Sequence, residues 1–226
     1  MVLNLHFQLK LLSSISQTKK FKKENNSKKQ KFKLVIFDMV GTLLKVRTIF
    51  VFAEKKGFID DLLFIINEKQ KKSYEKSIDI AKLLKGMDRR ELIFLFREIP
   101  LQDHVEHVIN ELKDYDIKTT IVTNSYLFFA NDLKNRLGID YVFANDLVTR
   151  KNIITDDLIL HNKNLKYKFD DCNQHSICKS YILDILCKKL SLYTDEIIAI
   201  GDSVFDTCIL KKAGIGIAFN TPKEVQ

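Results

Sequence analysis

Apolar residues along this chain fall into two alternating patterns. Lys33 to Asp38 reads KLVIFD, a short apolar run ending in an acid, which predicts a buried parallel strand with Asp38 at its carboxyl end. Residues 49–97 then show helical spacing in four pieces. They are an aromatic-rich segment stopped by Gly57, 59–71, 73–85 stopped by Gly86, and 88–97 closed by Pro100. Strand signals resume beyond them: helix 103–115, strand 118–123, helix 126–136 closed by Gly138, strand 141–144 and a strand-rich stretch at about 147–155. A helix from about 179 to 190, strand 196–200, helix 204–212 and strand 215–219 complete the series. Strands alternating with helices at this spacing predict an α/β fold built from right-handed βαβ units around a parallel sheet. The run of helices after the first strand predicts an insert.

Ligands of such sheets bind at the carboxyl ends of the strands. Three predicted strand ends carry polar residues: Asp38, the run Thr123-Asn124-Ser125, and Gly201-Asp202. One polar residue at a strand end is ordinary, but three that converge, two of them acids, describe a metal-assisted phosphate site. Mg²⁺ takes oxygen ligands, with one or two carboxylates completed by substrate phosphate and water. Asp38 and Asp202 supply that pair, and a nearby hydroxyl and lysine would neutralise the remaining phosphoryl oxygens.

Charge narrows the partners. The chain carries a net +8, yet residues 1–33 hold nine lysines against Glu24 alone, leaving 28 basic and 28 acidic residues for 34–226. The body is electrically balanced, so it is not expected to grip nucleic acid. Residues 1–32 are expected to form a flexible basic extension. No run of 18 apolar residues predicts a membrane span. Four cysteines (Cys172, Cys178, Cys187 and Cys208) without CxxC spacing read as reduced thiols of a cytoplasmic protein.

Four ordered motifs carry a resemblance: FDMVGTLL at 37–44, IVTNS at 121–125, Lys179 ahead of its helix, and GDSVFD at 201–206. Together they resemble the haloacid dehalogenase (HAD) superfamily of phosphohydrolases, and within it phosphoserine phosphatase. GIDYVFANDL (138–147), the 23-residue step from Lys179 to Asp202 and KKAGIGIAFNTP (211–222) strengthen the likeness. The resemblance implies a Rossmann-like core at 33–47 and 98–226 with a small helical cap at 48–97. It implies an Mg²⁺-dependent enzyme acting on a small phosphorylated metabolite. Asp38 would be the nucleophile that becomes an aspartyl phosphate, and also a metal ligand together with the Val40 carbonyl and Asp202. Asp206 would support the metal directly or from behind. Thr123 would bond the phosphoryl oxygens beside Asn124, and Lys179 would hold Asp38 and the phosphate by charge. A solvated surface position is the competing reading for Lys179 and for Asp206, and a helix N-cap for Asp202.

The departures matter as much. Family phosphatases place a second Asp two residues after the nucleophile, where it protonates the leaving oxygen and then activates water. Here that residue is Val40. Such proton transfer is typically worth ~10²–10⁴-fold in rate, so turnover of alkyl phosphates is expected to be slow. An acyl phosphate, whose leaving group needs no proton, would suffer less in the first step. A non-catalytic descendant that binds a phosphorylated ligand is the rival reading. The family also grips the serine amine with a Glu nine residues after the nucleophile. Arg47 stands there, and no Arg appears in YEKSIDIAKLLKGM (74–87) to grip the carboxylate. The charge logic is inverted, with an exposed cap position as the alternative for Arg47. Phe205 replaces an Asn and makes its loop greasier. Relatives usually add a further strand and helix beyond the position of Gln226, so the sheet edge is expected to be incomplete or the sequence truncated.

One other cluster, Cys172, His175, Cys178 and Cys187, lies within sixteen residues, but its spacing matches no standard zinc pattern. His104 and His107 are read as decorating the first turns of their helix.

Overall fold

The computed structural model describes residues 31–165 and 174–220. The basic extension therefore lies outside the described residues, apart from Lys31 and Phe32. Six strands form one sheet: β1 (Leu34–Phe37), β2 (Lys118–Tyr126), β3 (Tyr141–Arg150), β4 (Ile153–Ile159), β5 (Ile197–Gly201) and β6 (Ile215–Ala218). Their spatial order is β4-β3-β2-β1-β5-β6, and every neighbouring pair is parallel except β3 with β4.

The apolar runs explain the central position of β1. All four of its residues are buried, and successive side chains feed opposite faces. Val35 and Phe37 join Ile121, Ile198 and Ile200 in one core cluster, whereas Leu34 and Ile36 join Val122, Ile197 and Ala199 in another. A strand covered on both faces needs continuous hydrophobicity, which LVIF and IIAI provide.

Eight α-helices flank the sheet among the described residues. Four follow β1: α1 (Thr48–Lys56), α2 (Ile59–Asn67), α3 (Ser73–Leu83) and α4 (Arg89–Arg97). Then come α5 (Val105–Asp114), α6 (Leu127–Leu137), α7 (Lys179–Leu190) and α8 (Thr207–Lys212). Ile182, Leu183 and Leu186 of α7 cover one face with Ile209 of α8, and the other helices contribute to the larger cluster. Phe129 of α6 ties the first four helices to the sheet. Its ring lies 5.1 Å from Phe52 of α1 and 5.0 Å from Phe96 of α4, centroid to centroid.

The elements match the sequence pattern with two differences. The expected strand 141–144 continues to Arg150 and turns through Lys151 and Asn152, both at positive φ, into β4. That two-residue turn is the type whose twist suits a hairpin. The start of the free edge of β4 is then paired with the α3–α4 link. Gly86 N donates to Ile154 O (2.9 Å), Ile154 N to Met87 O (2.9 Å), and Arg89 N to Asn152 O (2.8 Å). A paired edge is no longer a template for aggregation. The second difference is at 204–212, where a 3₁₀ turn (Val204–Asp206) precedes the short α8.

Candidate active site

The central strand and its two neighbours deliver the site. Phe37 pairs with Ile121 of β2 and Ile200 of β5, so the chain leaves β1 between the two polar strand ends. Asp38 N donates to Ile200 O at 2.8 Å, which fixes the residue against β5.

Lys179, the first residue of α7, is 2% exposed and donates to two carboxylates. One is Asp38 Oδ1; the other is Asp206 Oδ1, at 2.5 Å. The surface reading of Lys179 is thereby excluded, and so is that of Asp206, which is 1% exposed. Asp206 is held from its other side, where Oδ2 accepts from Ser203 N (3.1 Å) and Ser203 Oγ (2.9 Å). Asp202 caps no helix; its Oδ1 accepts from Thr42 Oγ1 at 3.2 Å. Two glycines make room for these acids. A Cβ at Gly41, whose φ is +91°, would stand 2.2 Å from Asp202 Oδ2, and one at Gly201 would stand 2.3 Å from Asp206 Cγ. The first needs glycine for both backbone and space.

One carboxylate oxygen from each of Asp38, Asp202 and Asp206 lies within 4.8 Å of the others. Three acids thus face one ammonium group, and the electrostatics show the imbalance. Burial pushes the Asp38 carboxyl up to about 7; Lys179 pulls the other way, while Asp206 and Asp202 add to the rise. Asp202 is also raised, by burial and then by Asp206. Burial works against a charged Lys179, yet Asp206 and Asp38 outweigh it and hold the ammonium protonated. Clustered hard oxygen donors with surplus negative charge fit a divalent cation such as Mg²⁺. Asp38 and Asp202 could hold it most directly, since both oxygens of Asp206 already accept hydrogen bonds.

Asp38 and Asp202 open onto a cavity of about 440 Å³. Asp38, Thr123, Asn124, Lys179 and Asp202 supply its floor at the strand ends, and residues 47–50, Ile66 of α2, Lys71 and residues of α3 supply a wall from the insert. Thr123 is buried and its Oγ1 accepts from Ser125 N at 3.2 Å. Val40 also lines the cavity, as does Arg47, an exposed residue at the N-cap of α1. Phe205 lines it too and packs edge-on against His175, ring centroids 5.0 Å apart.

Supporting residues were less visible in the sequence. Asn145, fully buried on β3, donates to Asn124 O (3.1 Å) and Ser176 Oγ (2.9 Å) and accepts from His161 N (3.0 Å). Ser77 of α3 bonds Ser176 Oγ at 3.3 Å, and Tyr74 N donates to Gln174 O at 3.2 Å, so α3 is fastened to the segment that leads into Lys179. The one available signal was an Asn inside the apolar run YVFAND.

Other candidates do not gather. Cys172 lies outside the described residues, and Cys178, Cys187 and Cys208 form no disulfide among the described residues. Among the described residues the three aspartates are the only such ligand cluster found. His104 sits at the N-cap of α5 with φ 67°, and His107 lies 3.8 Å from Glu111. No helix among the described residues is long and apolar enough to cross a membrane.

The family of haloacid dehalogenase-like hydrolases matches residues 32–214, and the chain belongs to it. Among its relatives, the phosphoserine phosphatase of Archaeoglobus fulgidus is 27% identical over 196 residues, spanning 85% of this chain but only 54% of that protein. The phosphoserine phosphatase of Methanocaldococcus jannaschii is 28% identical over 193 residues, covering 84% of this chain and 86% of that enzyme. A solved structure of a phospho-aspartyl intermediate analogue of phosphoserine phosphatase superposes with a TM-score of 0.72 at 25% identity. It covers 86% of this chain and 90% of the other. The fold expected from the sequence, a mostly parallel α/β sheet of the HAD type, is therefore the fold observed, and the chain is a hydrolase of this superfamily.

Proposed function

We propose that this chain is an Mg²⁺-dependent phosphohydrolase that acts on a small phosphorylated metabolite through an aspartyl phosphate on Asp38. The observation that carries this reading is the buried Lys179, bridging Asp38 and Asp206 beside Asp202 at the floor of the cavity. A Mg²⁺ ion on Asp38 and Asp202 would neutralise phosphoryl oxygens and orient them. An Asp38 oxygen attacks phosphorus, and the bond to the leaving oxygen breaks. Lys179 and the Thr123 hydroxyl face the phosphoryl oxygens as charge builds on them. Asp206 positions Lys179 and restrains it from folding away from Asp38. Residues 33–47 and 98–226 act as the core, and helices within 48–97 act as a cap that keeps water from the reacting group. Its likeness to phosphoserine phosphatases supports a phosphate monoester as substrate; the likeness does not extend to phosphoserine itself, because Arg47 lines the cavity.

Val40 limits the chemistry. Among the described residues Asp38 and Asp202 are the only carboxylates lining the cavity, and in this reading both serve the cation site, so neither is spare to protonate the leaving oxygen. Loss of such a group raises the barrier by roughly 3–5.5 kcal/mol. This one residue also favours a second reading, a binding protein for a phosphorylated ligand that has lost turnover. Val40→Asp separates the two. Its carboxylate enters the same cavity, so Mg²⁺-dependent hydrolysis of an aryl phosphate should rise by ~10²-fold or more, and Asp38→Asn should abolish it. Silence in both backgrounds, without Mg²⁺ binding, would favour the binding protein.

A further inference from the structure

The wall that the insert contributes to the cavity has its own chemistry. Residues 47–80 contribute three cationic side chains to it, Arg47, Lys71 and Lys76, and no carboxylate. Lys71 is paired with Asp79 at 2.6 Å. Arg47 and Lys76 have no carboxylate partner among the described residues. The Lys76 ammonium donates instead to Ile66 O at 2.6 Å, and the Arg47 guanidinium lies 6.0 Å from the Phe50 ring centre.

Helix α1 begins at this wall. It is nine residues long, no side chain caps its N-terminus, and its first turn carries no acid. Free N–H groups at such an end, with the helix dipole behind them, attract negative charge. An independent observation points the same way. Thr48, the first residue of the helix, lines the cavity and is 4% exposed, yet its buried Oγ1 has no hydrogen-bond partner among the described residues. A buried hydroxyl without a partner costs free energy, and a ligand oxygen in the cavity would satisfy it. The same cavity is also lined by the apolar side chains of Val40, Phe50, Ile66 and Ile80.

We infer that Arg47, Thr48 Oγ1 and the N-terminus of α1, with Lys76 nearby, form a second anion subsite. The substrate is thus a phosphorylated compound with a short apolar body and a second acidic group, and without an amine. This rests on the phosphohydrolase reading, which supplies the first phosphate site. An ammonium group on the substrate would meet three cations and no acid on this wall. The carboxylate of an amino acid would be held here only if its amine were absent or neutral.

A ligand series tests this on the full chain with Mg²⁺, by titration calorimetry. The series is 3-phosphonooxypropanoate (carboxylate, no amine), O-phosphoserine (both), phosphoethanolamine (amine only), propyl phosphate (neither) and propane-1,3-diyl bisphosphate. The carboxylate or the bisphosphate should bind at least about tenfold tighter than propyl phosphate, as for one charge-assisted contact, the tighter of the two identifying the preferred anion. Phosphoethanolamine should bind more weakly than propyl phosphate. Arg47→Glu should invert the order of 3-phosphonooxypropanoate and phosphoethanolamine. The wild-type ranking already decides the matter should that variant not fold. Equal binding across the series, or a preference for phosphoserine or phosphoethanolamine, overturns the subsite while leaving the phosphohydrolase reading intact. No Mg²⁺-dependent binding of any compound, inorganic phosphate included, overturns the phosphohydrolase reading and the subsite with it.

Discussion

Replacing Lys179 by methionine removes one buried charge at nearly constant volume and leaves two carboxylates behind. Asp38 and Asp206 each lose their ion-pair partner, and Asp206 keeps only the Ser203 bonds at Oδ2. Breaking a buried pair from one side costs about 3–5 kcal/mol, because the stranded charge cannot reach water. For a chain of this size each kcal/mol shifts the midpoint of thermal unfolding by roughly 2–4 °C. A loss on the order of 10 °C is therefore expected at pH 8 in EDTA. The loss has a pH signature. Asp38 in the folded protein already titrates above its ordinary 3.8, and Lys179 is the group that pulls it down, so the variant raises it further. Between the unfolded and folded values the native state binds a proton that the unfolded chain does not, and stability falls as pH rises through that window. Urea unfolding in EDTA at pH 5.5 should therefore show a smaller penalty than at pH 8. A penalty under about 1 kcal/mol, equal at both pH values, is what a solvent-screened pair gives. It would refute the buried-pair geometry.

Three further outcomes follow from the same site. Gly41→Ala should weaken Mg²⁺ binding at least about tenfold, since its Cβ would displace Asp202 and strain a backbone at φ +91°, a strain of about 1–3 kcal/mol; calorimetric titration of Mg²⁺ reads this directly. Apparent Mg²⁺ affinity should rise with pH through about 7, because the cation and a proton compete for Asp38, and a pH series of the same titration would show it. Asn145→Leu should destabilise the fold by about 1–3 kcal/mol, measured by urea unfolding, because Asn124 O, Ser176 Oγ and His161 N all lose their shared partner.

Much of this was legible before any coordinates. LVIF and IIAI are continuous apolar runs, and TTIV a buried β-branched one, because their strands are buried on both faces, and polar residues follow each of them at the site. Asp38, Thr123 and Asp202 could therefore be placed from pattern alone. Lys179 and Asp206 needed the motif resemblance, since nothing in local periodicity distinguishes a buried lysine from the many solvated ones in this chain. The hairpin at Lys151-Asn152 was blurred into one strand-rich stretch because neither turn residue is glycine. Thr48, Lys71 and Lys76 escaped notice for a different reason. They lie on α1, in the α2–α3 link and on α3, and only the packing of these segments makes one wall of them. Asn145 illustrates the same limit, as its three hydrogen bonds reach segments sixteen or more residues away.

The most direct test of an attacking Asp38 beside a cation is to look for its phosphorylated form. Acetyl phosphate can donate its phosphoryl group without a proton for the leaving acetate, and Val40 should make the later hydrolysis slow. Wild-type protein incubated with Mg²⁺ and radiolabelled acetyl phosphate should then accumulate up to one acid-stable, base-labile phosphate per chain, mapped to the Asp38 peptide and absent from Asp38→Asn or in EDTA. Label that appears without Mg²⁺, persists in Asp38→Asn, or fails to appear at all would contradict it.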